Sequence, residues 1–78
     1  MILWIEGRRV VSPPFVIGLR KKGYQVEMVS TGKEAVDRLL DLQPDLVVLN
    51  AASMRSTGVR ICRSLRDSDE GIPVLVIV

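Results

Sequence analysis

The chain has 78 residues, of which 47% are hydrophobic and 26% charged, so it holds one small folded domain and no low-complexity or polar tract. Eleven Lys and Arg against nine Asp and Glu leave a net charge of +2, too little for a nucleic-acid footprint, and a single Trp, Tyr and Phe make no stacking platform for bases. One cysteine and no histidine exclude an internal disulfide, a Cys/His nucleophile pair and a Cys/His metal site; Cys62 reads as a small core residue.

The longest apolar runs are only a few residues, such as Leu46 to Leu49 and Ile72 to Val78, far below the roughly 20 residues of a membrane-spanning helix. Glu6, Arg8 and Arg9 interrupt the opening apolar run before a secretory signal could form, so no membrane segment and a cytoplasmic setting are expected.

Ile2 to Ile5 is an unbroken apolar run ending at Glu6-Gly7, which predicts a strand buried on both faces and then a loop. Trp4 on it reads as core. Ser12-Pro13-Pro14 opens a first helix with Phe15, Val16 and Leu19 facing inward, and Gly23 after Lys21-Lys22 stops it. Gln25 to Val29 is a second strand with Val26, Met28 and Val29 as inward candidates. Thr31-Gly32-Lys33-Glu34 fits a capping box for a second helix whose Val36, Leu39 and Leu40 repeat at helical spacing toward a stop near Gln43-Pro44.

Leu46 to Leu49 is again apolar on both faces and ends at Asn50. After a loop from Ala51 to Thr57, Gly58 with Val59, Cys62 and Leu65 marks a third helix ending near Asp67 to Gly71, and Ile72 to Val78 forms the fourth strand. Arg60, Arg63 and Arg66 read as a solvated helix face, and Ser53, Ser56 and Thr57 as ordinary loop residues. Gly32 and Gly58 serve turn and helix-start geometry, since neither belongs to a phosphate-binding cluster.

This alternation specifies an α/β fold, a doubly wound parallel sheet with right-handed crossovers and helices on both faces. In such sheets the functional crevice lies at the carboxyl ends of the strands, which places Glu6, Gly7, Asn50 and Val78 there.

The order of these pieces resembles the receiver domain of two-component response regulators. The fragments that carry the resemblance are Ile2-Leu3-Trp4-Ile5-Glu6, Lys22-Gly23-Tyr24-Gln25-Val26, Thr31-Gly32-Lys33-Glu34-Ala35-Val36, Gln43-Pro44-Asp45-Leu46-Val47-Val48-Leu49, and Thr57-Gly58 with Cys62-Arg63-Ser64-Leu65-Arg66. The resemblance implies a flavodoxin-like fold with strand order 2-1-3-4 in one receiver-like domain over residues 1–78, lacking the fifth strand and the last helices. With Met1 directly before the first strand, the missing part is expected on the C-terminal side.

In that family two acids after the first strand and an aspartate after the third bind magnesium, and the aspartate accepts a phosphoryl group. Here the second acid is Gly7, the acceptor position is Asn50, and the switch hydroxyl position after the fourth strand is Val78. Met54 and Thr57 also depart from the family's loop, in place of a proline and an acid. A carboxamide offers no ionisable oxygen nucleophile and no negative charge for a divalent ion, so the expectation is a pseudo-receiver with no catalytic residue, no metal and no cofactor. One of Arg8, Arg9 and Arg55 is expected to pair with Glu6 in place of the metal.

The function expected is a phosphorylation-independent protein-interaction module of a bacterial signalling or transcription regulator, not an enzyme. Its partner is another protein or a second copy, docking on the fourth-strand edge through Ile72, Val74, Val76 and Val78, with a DNA-binding effector domain expected elsewhere in the full-length chain. Two rival readings are phosphoryl acceptance at a non-standard site and a small-molecule sensor using the vacated pocket.

Overall fold

Four apolar strands separated by amphipathic helices assemble into one parallel sheet, seen in a computed structural model that describes residues 1–7, 14–53, 58–68 and 71–77. The elements are β1 (Ile2–Glu6), α1 (Pro14–Lys21), β2 (Val26–Val29), α2 (Gly32–Leu42), β3 (Leu46–Asn50), a 3-10 turn (Ala51–Ser53), α3 (Gly58–Ser68) and β4 (Val74–Ile77). The strand order is β2-β1-β3-β4, as the resemblance implies, with every neighbouring pair parallel.

Because side chains alternate across a strand, the central strands β1 and β3 feed two cores at once. Leu3 and Ile5 of β1 with Val47 and Leu49 of β3 face α2 and α3, joining Ala35, Leu39, Ile61 and Leu65 in the larger core. Trp4 and Val48 face α1 on the other side, with Val16 and Val26. The doubly apolar strands thus have cover on both faces, which is what an uninterrupted hydrophobic run requires.

Local chemistry sets the helix ends. Thr31 caps α2, its hydroxyl accepting from the Glu34 backbone N–H at 3.1 Å, while the Glu34 carboxylate reaches back to the N–H of Ser30 at 3.5 Å rather than to that of Thr31. Gln43 closes the helix in the left-handed region at φ 46°. Gly23, at φ 96°, lets the chain turn from α1 into β2 without a β-carbon clash. Gly32 serves packing rather than turning. A β-carbon there would lie 2.5 Å from Cγ1 of Ile61, so the missing side chain is what lets α2 approach α3.

Several expectations are corrected. Phe15 does not face inward: it is 72% exposed, and Val16, with Leu19 packed beside it, supplies the buried face of α1. Leu40 is likewise 86% exposed, because Ala35 and Leu39 already set the inward direction of α2 and Leu40 falls about 100° away from Leu39. Ile61 and Leu65 carry the buried face of α3, and Cys62 is half-buried against it. The fourth strand begins at Val74 rather than Ile72, Pro73 having no N–H to give to a ladder although its carbonyl accepts from Val47. The proposed helix start at Ser12-Pro13 lies outside the described residues.

Candidate functional site at the carboxyl ends of the strands

The ladder between β1 and β3 ends with Glu6 opposite Asn50, and the next ladder sets Asn50 opposite Ile77. One row across the sheet therefore holds a carboxylate, a carboxamide and an aliphatic side chain. Trp4 stands two residues before Glu6, on the same face, so its ring lies directly below the carboxylate.

Glu6 is 5% exposed, the one charged group among the buried described residues. Burying a carboxylate demands strong hydrogen-bond donors, and two side chains provide them. The Asn50 Nδ2 amide donates to both Glu6 oxygens, at 3.0 Å each, and the Trp4 indole Nε1 donates to Glu6 Oε1 at 2.8 Å. The amide's orientation follows from this pairing, since its oxygen turned the same way would face two carboxylate oxygens. The ring of Trp4 is 2% exposed and lies 6.5 Å, centroid to centroid, from that of Phe15 at an interplanar angle of 27°. The polar site is thereby joined to α1 through one side chain.

Chemically, this arrangement is a carboxylate held by neutral hydrogen-bond donors. The residues do not fit the family's magnesium ion: N–H donors from Asn50 are aimed at the very oxygens a cation would need, and Asn50 brings no second negative charge. Among the described residues no cluster of three His, Cys, Asp or Glu could hold a metal.

Of the residues expected here, the structure brings together Glu6 and Asn50 and places Gly7 immediately after the strand. Val78, Arg8, Arg9 and Arg55, and the departures Met54 and Thr57, lie outside the described residues. The participation of Trp4 was missed by treating it only as core. Its signal was present, because Trp and Glu at i and i+2 of one strand share a face and an indole N–H needs a partner when buried. At the sheet edge, Ile72 and Val74 are half-buried against the larger core, whereas Leu75 and Val76 are 54% and 39% exposed.

No helix of the described residues is long and apolar enough to cross a membrane. Comparison with known proteins agrees with the architecture. Residues 2–78 match the family model of the response regulator receiver domain. The chain is 36% identical over 76 residues to the response regulator MprA of Mycolicibacterium vanbaalenii and 34% identical to that of Mycobacterium avium, covering 97% of this chain and 33% of each relative. It spans about a third of the length of these curated relatives. The receiver domain of NtrC4 from Aquifex aeolicus superposes with a TM-score of 0.78 at 19% identity, covering 96% of this chain and 62% of that one, which supports the fold. The match over nearly the whole chain and the identical strand order lead to one conclusion: this chain belongs to the response regulator receiver domain family of two-component signalling.

Proposed function

We propose that this receiver acts by docking to a protein partner without being phosphorylated, and that Glu6, Gly7 and Asn50 form a degenerate phosphorylation pocket. The observation that carries the reading is the Asn50 amide donating to both oxygens of Glu6, 3.0 Å from each. A carboxamide cannot form an acyl phosphate, and here its N–H groups occupy the two Glu6 oxygens that a divalent ion would need. Residues 1–78 act as a single receiver-like unit in this reading. It operates in the cytoplasm beside a DNA-binding effector domain of a longer protein.

Incubating the protein with a small phosphodonor and magnesium, then measuring its intact mass, tests the proposal. An unchanged mass is expected; a stable added phosphoryl group on the unaltered chain would overturn it.

The exposure of Leu75 and Val76 on strand β4 favours a second element of the reading, pairing of two copies of the isolated 78-residue chain along that strand. Light scattering is expected to show a dimer that grows with concentration, and a clean monomer at high concentration removes this element.

A further inference from the structure

Helices α2 and α3 pack side by side over the larger core, and their outer surfaces leave a groove between them. One part of it, of about 440 Å³, is bounded by Gly32, Lys33, Val36, Asp37, Arg60 and Ile61. A second, of about 600 Å³, lies toward the far end of the helices around Leu39, Leu40 and Pro44. Both include Val36, so the two form one trough along the seam. Its length is that of an eleven-residue helix, about 16 Å.

The trough is chemically asymmetric. At the end where both helices begin, the exposed side chains of Lys33 and Arg60 face solvent, and neither forms an ion pair among the described residues. The positive ends of two helix dipoles add to that charge, against Asp37 in the lining one turn further on and Glu34 in the first turn of α2. The other end carries no charged side chain in its lining: Leu40, at 86% the most exposed large hydrophobic side chain described, stands beside Pro44, with the uncharged Gln43 and Ser68 at the margin. An apolar floor with positive charge at one end is complementary to an amphipathic helix that carries its acids at one end.

We infer that the α2/α3 trough docks an acidic amphipathic helix of a partner protein, its apolar residues on Val36 and Leu40 and its carboxylates at Lys33 and Arg60. This rests on the reading of the chain as an interaction module and names the chemistry of what it binds. The site lies on the helix face of the sheet, apart from Glu6 and Asn50 and from the β4 edge.

The probe is a synthetic helical peptide of about three turns, with leucines spaced i, i+4 and i+7 and glutamates at one end, titrated into isotope-labelled protein. Expected are amide shifts confined to Lys33, Val36, Leu40, Arg60 and Ser64, and binding about tenfold weaker for the same peptide with lysines in place of glutamates. Leu40→Glu should abolish the shifts while leaving the circular dichroism unchanged. The double variant Lys33→Glu/Arg60→Glu should reverse the preference between the two peptides. The inference is overturned by shifts at the β4 edge instead, by equal binding of both peptides, by self-association through the trough, or by no shifts at millimolar peptide. Its failure is separable from that of the proposed function: a null titration with no phosphoryl uptake removes only the trough, and phosphoryl uptake with peptide binding intact removes only the phosphorylation-independent reading.

Discussion

The face of the sheet beneath α2 and α3 and the carboxyl ends of the same strands are built from the same short segments, yet they solve opposite problems. Beneath the helices, Leu3, Ile5, Val47 and Leu49 meet Leu39, Ile61 and Leu65, and cohesion comes from area removed from water. At the strand ends, one residue further along each chain, Glu6 and Asn50 bury polar groups that hold only because each donor is aimed at a charge. The first region tolerates change in proportion to volume, and the second in proportion to charge and geometry.

Deleting volume from the apolar region should therefore have the largest effect. Leu65→Ala removes a fully buried side chain and is expected to cost about 2–5 kcal/mol, a large share of the stability of so small a domain. Urea unfolding followed by circular dichroism measures it; a cost below about 1 kcal/mol would show that α3 collapses onto the sheet freely.

The strand ends should respond to charge without any change of size. Asn50→Asp is nearly isosteric, but it replaces the donor by a second carboxylate facing Glu6, and a loss of about 2–3 kcal/mol at neutral pH is expected. The sign with pH is fixed: two acids sharing one site hold a proton more tightly folded than unfolded, so this variant should regain stability as pH falls through the carboxylate range. Magnesium should also raise its urea midpoint while leaving that of the unsubstituted protein where it was. A variant indifferent to both would break the contrast between the two regions.

Trp4→Phe keeps most of the buried ring and removes only the indole donor 2.8 Å from Glu6, for an expected cost of about 1–2 kcal/mol. If the cost is instead as large as that of Leu65→Ala, the ring acts through packing and not through its hydrogen bond. The smallest effect belongs to Asp45, whose carboxyl is held below its ordinary value of 3.8 by a hydrogen bond from the Met1 ammonium group and by its charge. Its stabilisation is present above the ordinary value and fades as pH drops through the lowered one. Asp45→Asn should flatten that part of the acid-unfolding curve slightly, and added salt should weaken the difference, because the pair is exposed.

Most of the architecture was legible in the sequence because the doubly apolar runs at Ile2 to Ile5 and Leu46 to Leu49 have no other use than central parallel strands. The helix ends were equally clear at Thr31, Gly23 and Gln43. Phe15 and Leu40 were misplaced because one apolar residue looks like another when spacing alone decides, and a helix's inward direction is settled by which residues the sheet can reach. Gly32 carried no readable sign of its packing role, since the neighbour that excludes a β-carbon, Ile61, is 29 positions away. In the pocket, the residue types at Glu6 and Asn50 announced that the site was altered, but the bifurcated amide and the indole donor depend on the register between β1 and β3, which only the folded sheet reveals.

Trp4 has a further consequence. It is the sole tryptophan of the chain, and its N–H ends on the very carboxylate to which the Asn50 amide also donates. Indole emission is sensitive to nearby charge, so the protein carries a built-in optical gauge of that one carboxylate. Changes of occupancy or protonation at the strand ends can be followed in real time without attaching a label.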